Sequence, residues 1–265
     1  MTDVLLIEPY HNDEADDAIR KIVFKNSKDF PPVGLACLAA MLKREAITVR
    51  GLDLSLQRIR DLDIVGQQVR KLSPAIIGIS ISFAFTANYG YRLIAYLKKT
   101  FPAIKVVVGG NHATYLYDEV LEAGADVVVK FEGEYTFLEL CQLYLEGKTD
   151  ISGVLGIAYI KDGQIVTTAL RPLIQNLDDL PFPDYSIFGP YDNYKLSNSA
   201  LRLVILSSRG CPYRCIFCST SSFARGKIRF RSIDNTIDEI KKRLAEYQFQ
   251  SIFLADDNFN TNEQR

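Results

Sequence analysis

The sequence predicts an α/β protein whose N-terminal part is a doubly wound parallel sheet. Three observations support this class. Up to about residue 147, short apolar runs alternate with stretches in which apolar residues recur every three and four positions. The runs at Ala75–Ile81 and Lys105–Val108 are almost wholly apolar, as strands buried on both faces require. Finally, 48% of the 265 residues are hydrophobic and 24% are charged, which is typical of globular proteins and excludes a largely disordered chain.

Five strand–helix units follow one another along this part. The predicted strands are Val4–Ile7, Ile47–Leu52, Ala75–Ile81, Lys105–Val108 and Asp126–Lys130. The predicted helices are Val33–Arg44, Leu62–Lys71, Ala87–Lys99, Thr114–Glu122 and Tyr135–Glu146. Strands joined through helices make right-handed crossovers, so these units predict a parallel sheet with helices on both faces. We expect a flavodoxin-like, Rossmann-type domain over residues 1–147.

The segments that follow the strands predict a ligand crevice. Doubly wound sheets bind ligands beyond the carboxyl ends of their strands, where the strand order reverses. The segments expected there carry small residues and hydroxyls that let the backbone approach a ligand: Glu8–His11, Ser80–Phe83, Gly109–His112 and Phe131–Glu134. Each segment alone is also explained as a turn or a helix cap. Four of them at one edge predict a binding crevice.

Residues 148–200 predict a hairpin followed by a linker. Asp162-Gly163 is a two-residue hairpin signal between Gly156–Ile160 and Gln164–Thr168. The prolines of Asn176–Pro183 predict an extended linker, because each proline disfavours helix at the residue before it. Residues 201–265 then predict a strand, a helix and a strand, at Leu203–Leu206, Ile233–Tyr247 and Ser251–Leu254. Two parallel strands do not form a stable sheet, so we expect them to begin a larger barrel that continues beyond this sequence.

Charge and cysteine content limit the classes of function. With 31 basic and 32 acidic side chains the formal net charge is −1, which gives no general electrostatic basis for binding DNA. There is no basic, cleavable leader and no run of about 18 apolar residues, so we expect a cytoplasmic protein without a membrane span. Five cysteines are an odd number, which argues against a disulfide framework. Cys37 and Cys141 lie on apolar helical faces and are expected to be buried.

The other three cysteines form a candidate metal site. Cys211, Cys215 and Cys218 have the spacing C-x3-C-x2-C, which suits zinc, an iron–sulfur cluster or a redox dithiol. A structural zinc site normally has four ligands, and the histidines, His11 and His112, are far away in the sequence. Three thiolates on a four-iron cluster leave one iron open for chemistry. The pattern therefore favours a catalytic iron–sulfur cluster over zinc or a dithiol.

This loop resembles the signature of the radical S-adenosylmethionine superfamily, including the aromatic Phe217 before the last cysteine. Other segments resemble the subgroup with an N-terminal cobalamin-binding domain, in the same order and spacing: Pro31–Leu35, Gly109–Thr114, Glu132–Glu134, Leu177–Tyr185, Lys227–Ser232 and Phe253–Phe259, together with the helix that contains Asp238–Ile240. The likeness covers essentially the whole chain. Its cysteine motif is the most specific part.

The resemblance implies a partial (β/α)6, TIM-like barrel beginning at residues 201–265, with a 4Fe-4S cluster held by the three loop cysteines. It implies that S-adenosylmethionine binds the open iron and yields a 5′-deoxyadenosyl radical. The resemblance places Phe217, Asp256, Asp257 and Asn258 in contact with S-adenosylmethionine. It also implies cobalamin in the crevice of the N-terminal domain, with contacts from Ser80, Ser82, Gly109, Gly110, Asn111, His112, Glu132 and Gly133.

Two departures from the family pattern stand out. Cobalamin domains with a histidine ligand to cobalt carry D-x-H-x-x-G after the first strand, whereas this chain has Glu8–Asp13, so His11 is not expected to bind cobalt. Lys130-Phe131 replaces the Arg-Gly more often seen before Glu-Gly-Glu. Arg209 and Arg225 are candidates to meet carboxylate or phosphate groups, although solvent-facing positions are equally consistent with the sequence.

Three functions are compatible with these motifs. The first is a cobalamin-dependent radical enzyme that methylates a small-molecule or peptide substrate, or carries out a cyclisation or another oxidoreduction. It would receive electrons from a donor such as flavodoxin or ferredoxin. The second keeps the cluster without cobalamin and uses the N-terminal domain for recognition. The third is a non-catalytic iron–sulfur or cobalamin-binding module.

Overall fold

The computed structural model describes residues 2–11, 30–195 and 200–262. Asn12 and Asp13, which belong to the segment compared with the cobalt-ligand motif, lie outside the described residues. Among the described residues, none of the helices has the length and apolar composition of a membrane-spanning segment.

A seven-stranded sheet forms the centre of the N-terminal part, in the order β2-β1-β3-β4-β5-β6-β7. The first five strands run parallel, and β6 and β7 are antiparallel. Their bounds are Val4–Glu8 (β1), Val49–Asp53 (β2), Ile76–Ser80 (β3), Lys105–Gly109 (β4), Val127–Val129 (β5), Ile157–Lys161 (β6) and Gln164–Thr167 (β7). The order 2-1-3-4-5 of the parallel strands is the flavodoxin-like order, as predicted.

Helices cover both faces of this sheet. They are Val33–Arg44 (α1), Leu62–Leu72 (α2), Ala84–Thr100 (α3), Asn111–Tyr115 (α4), Tyr117–Glu122 (α5) and Glu134–Leu145 (α6). Alternate residues of β1 enter different cores, with Val4 and Leu6 on one face and Leu5 and Ile7 on the other. Two-sided burial explains why these strands are apolar without alternation. The single helix predicted for Thr114–Glu122 is wrong, because the chain leaves helical geometry at Leu116 and forms two short helices.

The predicted hairpin is confirmed and extends the sheet. Asp162 and Gly163 both have positive φ, at 51° and 75°, which is the type I′ geometry that matches strand twist. The predicted extended linker is only partly correct. Asn176 accepts a hydrogen bond from the Asp178 amide and starts a 3₁₀ turn at Leu177–Asp179. Further 3₁₀ turns follow at Tyr185–Phe188 and Tyr191–Tyr194, and the Tyr194 hydroxyl donates to Asp53.

The C-terminal part contains a second parallel pair, with a crossover helix between the strands. Strand β8 (Arg202–Ile205) pairs with β11 (Ser251–Leu254), and helix α8 (Ile233–Glu246) connects them. Between β8 and α8 lie a two-residue strand pair, Ser208–Arg209 (β9) and Arg229–Phe230 (β10), and the short helix Ser219–Phe223 (α7). Strands β6 and β7 follow the predicted boundary at residue 147 but belong to the N-terminal sheet. The domain boundaries at 147 and 200 therefore stay a prediction.

Candidate functional site

A cavity of about 380 Å³ lies at the carboxyl edge of the sheet. One side is formed by the ends of β3, β4 and β5 and by the start of α1. The opposite side is formed by residues around the cysteine loop, including Leu206, Ser208–Gly210, Thr220 and Asp257. We call this cavity the crevice. Its walls come from both parts of the chain, as expected for a site at the end of a doubly wound sheet.

Seven of the eight residues predicted to contact cobalamin line the crevice: Ser80, Ser82, Gly109, Gly110, Asn111, Glu132 and Gly133. Gly110 is required by geometry, since its φ is +105° and an added Cβ would lie 2.6 Å from the Ile81 carbonyl oxygen. The hydroxyls of Ser80 and Ser82 lie 3.1 Å apart and share a hydrogen bond. Backbone and small polar groups thus form the sheet side of the crevice.

His112 is the exception. It is absent from the crevice lining, and its Nε2 lies 2.9 Å from the Tyr91 hydroxyl. Burial lowers the pKa of His112 below its usual value. The contact predicted between His112 and cobalamin stays a prediction. The position of His112 outside the crevice lining does not favour it. His11 also has a protein partner, since its Nε2 lies 3.2 Å from Glu8 Oε1.

Three residues that line the crevice each have a buried side-chain atom without a hydrogen-bond partner among the described residues. These atoms are Asn111 Oδ1 on the sheet side, and Ser208 Oγ and Arg229 Nε on the cysteine-loop side. The other end of the Asn111 amide is fixed, because Nδ2 donates to Ser219 Oγ at 3.0 Å. Buried polar atoms in folded proteins are nearly always satisfied, so unpaired atoms on residues that line a cavity are consistent with a polar ligand or water bound there.

Glu132 lines the crevice with both carboxylate oxygens already engaged. Oε2 accepts from Arg229 Nη1 at 2.8 Å and from the Ile174 amide at 2.9 Å, and Oε1 lies 3.3 Å from Arg209 Nη1. Burial acts to raise the pKa of Glu132, but the hydrogen bond from Arg229 and the charge of Arg209 hold it below its usual value. Arg209 also pairs with Glu134 at 2.6 Å. Arg209 is therefore half-buried and held between two carboxylates.

Phe131 contributes an aromatic wall and a strained backbone. Its φ is +65°, a conformation that glycine adopts freely and that is unusual for a bulky side chain. The ring lies 5.5 Å from the ring of Phe223 in α7, and the Arg225 guanidinium lies 5.0 Å from its centre. These contacts across the crevice offset the strain. They also place Arg225 over an aromatic ring.

The cysteine loop is the least enclosed part of the site. Cys211 is partly exposed and Cys215 and Cys218 are exposed, while Phe217 is 88% exposed. Hydrogen bonds from the Thr220 amide and hydroxyl lower the pKa of Cys218, which favours its thiolate. Across the described ranges, no three side chains of His, Cys, Asp or Glu are gathered closely enough to hold a metal ion. The loop thus supplies three thiols suited to a metal site, but in this structure they are not close enough together to bind one metal. Cys37 and Cys141 are buried, as predicted.

The three polar residues that follow β11 have different contacts. Asp256 accepts from the amides of Ser207 and Ser208, at 2.6 and 2.7 Å, and from the Ser207 hydroxyl, so it closes the end of β8. Asp257 lines the crevice and accepts from the Gly210 amide at 3.0 Å. Asn258 Nδ2 lies 3.9 Å from Cys211 Sγ. Of the three, Asp257 has the position most suited to a ligand in the crevice.

Sequence reasoning missed the contribution of α1 and of Ser208. Gly34, Leu35 and Cys37 line the crevice from the start of α1, and Ser208 and Thr220 line it from the other side. The segment Pro31–Leu35 already carried a signal, since it belongs to the motifs shared with the family. Ser208 immediately precedes Arg209 and the first cysteine, and proximity to that motif is the signal that could have identified it.

Comparisons with known proteins agree with this geometry. Residues 19–141 match the family model of the B12 binding domain. An uncharacterized methyltransferase of Pyrococcus horikoshii is 33% identical over 99% of this chain and 55% of its own length. The anaerobic magnesium-protoporphyrin IX monomethyl ester cyclase of Rubrivivax gelatinosus is 31% identical over 96% of this chain and 45% of its own length. The chain thus spans about half the length of these curated relatives.

Among solved structures, the radical S-adenosylmethionine methyltransferase TsrM of Kitasatospora setae, with tryptophan substrate and a S-adenosylmethionine analogue bound, matches with a TM-score of 0.75. The match is 20% identical and covers 98% of this chain and 48% of TsrM. A second TsrM structure, with cobalamin and a [4Fe-4S] cluster bound, matches with a TM-score of 0.74. At this identity the likeness concerns the fold. A further curated relative, the cobalamin-dependent radical S-adenosylmethionine methyltransferase TokK of Streptomyces tokunonensis, is 26% identical over 71% of this chain and 28% of its own length. Together with the B12-domain match and the other relatives, it shows that the chain belongs to the radical S-adenosylmethionine superfamily, in the subgroup with an N-terminal B12-binding domain.

Proposed function

We propose that this chain is the cofactor-binding part of a cobalamin-dependent radical S-adenosylmethionine methyltransferase acting on a small-molecule or peptide substrate. One observation carries the proposal most directly. The crevice is lined jointly by the carboxyl edge of the sheet and by residues around the cysteine loop, and Asn111 on one side and Ser208 on the other each carry a buried polar atom without a partner among the described residues. A ligand that spans the crevice would lie beside both residues.

The residues that line the crevice suit cobalamin by their chemistry. Gly110 leaves the backbone open where a side chain would collide. Leu35 and Val107 give apolar walls, and Ser82 and Asn111 are polar residues of the lining. Ligand pockets combine a mostly apolar lining with a few placed polar groups in this way.

The cysteine loop fits an iron–sulfur cluster by its donor set. It offers three thiols within eight residues, at least two of them accessible, and thiolates are the ligands that hold such clusters. When bound, the cluster with S-adenosylmethionine supplies radical chemistry, and cobalamin supplies the methyl group. Asp257, between the loop and the crevice, is our candidate for the amino group of S-adenosylmethionine, because a carboxylate forms a charge-assisted hydrogen bond with an ammonium. Phe217 stays a candidate for contact with the adenine.

We further propose a cytoplasmic protein that is reduced by a small electron carrier such as flavodoxin or ferredoxin. The cysteine loop with exposed Cys215 and Cys218 supports reduction by a separate protein. Cysteines without a disulfide among the described residues support a reducing compartment.

A second candidate reaction is cyclisation. It is favoured by the similarity to the Rubrivivax gelatinosus cyclase, at 31% identity over 96% of this chain. Product analysis separates the two reactions. Incubation of the complete reduced enzyme with S-adenosylmethionine should release S-adenosylhomocysteine if it transfers methyl groups. Release of 5′-deoxyadenosine without S-adenosylhomocysteine would instead support cyclisation or another oxidoreduction.

Adjacent serines give a sharp test of the ligand site. Ser208→Ala removes a buried hydroxyl that has no partner in the described structure, so the ligand-free chain should keep or slightly gain stability, within about 1 kcal/mol. The same change should weaken cobalamin binding about fivefold, since a hydrogen bond to the ligand is lost. Spectrophotometric titration and urea unfolding measure the two effects.

Ser207→Ala is the matched control. Its hydroxyl donates to Asp256 and does not line the crevice, so this variant should lose stability and keep cobalamin affinity. Unchanged cobalamin affinity in Ser208→Ala, or no binding of cobalamin by the parent chain, would contradict the proposal.

A further inference from the structure

Two arginines face each other across the strand pair next to the cysteine loop. Arg209 in β9 is the direct cross-strand partner of Arg229 in β10. Like charges in directly opposite positions destabilise a strand pair. The Arg229 side chain is 9% exposed and that of Arg209 is 20% exposed, so water screens this repulsion poorly. The pair therefore needs compensating negative charge.

Two carboxylates at the crevice supply it. Glu132 and Glu134 flank Gly133 where β5 leads into α6, and their side chains are 10% and 7% exposed. Arg209 reaches both carboxylates, and Arg229 Nη1 lies 2.8 Å from Glu132 Oε2. We call these four residues the charge quartet. Its two positive and two negative charges balance, and each ion pair joins the sheet edge to the strands beside the cysteine loop.

Stability alone does not explain such an arrangement. Burying ion pairs is often no better for stability than packing apolar residues of similar volume, because the charges lose their hydration. Ion pairs with defined geometry can instead hold two parts of a protein in one relative position. Here the two parts are the sheet edge and the strand pair β9–β10. The bond from Arg229 Nη1 to the Ile174 carbonyl and the bond from the Ile174 amide to Glu132 add the linker to the same network.

The four charged residues line the crevice beside the cysteine loop. Arg209 lies two residues before Cys211, and Glu132 lines the crevice. We propose that the charge quartet is a clamp in which Arg209 and Arg229 are positioning residues, holding the cysteine loop at a set distance from the ligand in the crevice. The inference rests on the proposed function, since a set distance matters for reaction only when both cofactors bind. Reactions between two bound groups are sensitive to displacements of about 1 Å.

Two variants of the same helix test the clamp. Glu134→Gln removes one charge of the quartet with little change of shape. Glu139→Gln is the matched control, because it removes a carboxylate of α6 that pairs with Arg171 and does not line the crevice. In the cofactor-free chain, amide exchange at Gly210 should be faster by about tenfold or more in Glu134→Gln and unchanged in Glu139→Gln.

The loaded protein provides the positional measurement. With cob(II)alamin in the crevice and a reduced cluster in the loop, the magnetic coupling between the two centres reports their separation by electron paramagnetic resonance. Glu134→Gln should change or broaden this coupling while both cofactors stay bound at the parent stoichiometry. If Glu134→Gln does not fold, Arg209→Lys keeps the positive charge and should give an intermediate change.

The outcomes separate the clamp from the proposed function. Unchanged exchange at Gly210 in Glu134→Gln would overturn the clamp whether or not cofactors bind. Faster exchange with an unaltered magnetic coupling would overturn the positioning role. Failure of the parent chain to take up cobalamin and a cluster would contradict the proposed function, while exchange at Gly210 would still decide whether the quartet holds the loop.

Discussion

The crevice and the cysteine loop differ in how far the polypeptide alone determines their shape. The sheet side of the crevice is built from the ends of buried strands, and Gly110 fixes its backbone in a form that a side chain would disturb. The cysteine loop is exposed, and its three thiols are not gathered into a metal-binding group in the described structure. Metal sites frequently form only as the metal binds, because the ligands have no other reason to converge. One site is thus shaped by folding, whereas the other depends on its cluster.

The largest expected effect concerns the loop. Cys215→Ala should reduce the iron bound after anaerobic reconstitution from about four atoms per chain to almost none, because two thiolates do not retain a four-iron cluster. Iron analysis and the visible absorbance of the cluster measure this loss. The control is Cys141→Ala, since Cys141 is buried within α6 and should not affect iron. Full iron content in Cys215→Ala, or a single zinc in the parent chain, would refute the cluster assignment.

A smaller effect is expected in the crevice. Gly110→Ala places a Cβ 2.6 Å from the Ile81 carbonyl oxygen at a φ of +105°, which should lower the free energy of unfolding by about 2 kcal/mol or more. To relieve this collision, the backbone at Ile81 and Ser82 has to move. Because Ser82 lines the crevice, this movement should weaken cobalamin binding about tenfold. Urea unfolding and cobalamin titration measure both changes.

Gly153→Ala is the matched control, because an added Cβ there meets no atom within 4 Å. Equal stability and equal cobalamin affinity in the two variants would show that the crevice is not shaped as described.

The smallest effect distinguishes two buried glutamates at the same sheet edge. Burial raises the pKa of Glu8 above its usual value of 4.5, with only partial compensation from His11, whereas the arginines lower that of Glu132. The raised pKa means that Glu8 favours the folded state at low pH and that this contribution is lost as the pH rises through its folded pKa. Glu8→Gln should therefore gain about 1 kcal/mol of unfolding free energy at pH 8 and less at pH 5.

Urea unfolding at the two pH values gives this comparison, with Glu122→Gln as an exposed control that should show no such difference. A loss of stability in Glu8→Gln that is greater at pH 8 than at pH 5 would contradict the assignment of a raised pKa.

Most of the sheet could be predicted from the sequence because its signals are local. Apolar runs located each of β1 to β5, and Asp162-Gly163 located the hairpin, since turn chemistry and two-sided burial depend on short segments. The break at Leu116 was missed because apolar periodicity continues across it. The 3₁₀ turn after Asn176 was missed because proline content suggested an extended chain and gave no sign of the Asn176 cap.

The site was predicted unevenly for a similar reason. Strand ends and glycines revealed the crevice residues, whose roles follow from their place in the fold. The partners of Arg209 were not visible, because Glu132 and Glu134 are more than 70 residues away and the contact depends on how the two parts pack. Asp256, Asp257 and Asn258 could not be distinguished for the same reason, although the structure gives each a different set of contacts.

The difference between the two sites can be measured most directly by titrating the cluster-free chain with cobalamin. We predict about one equivalent bound, with an affinity that changes less than about threefold when the cluster is reconstituted, because the crevice is shaped by folding. Binding that appears only after cluster assembly would contradict this account. The sheet side of the crevice would then take its binding form only when the cluster has ordered the cysteine loop.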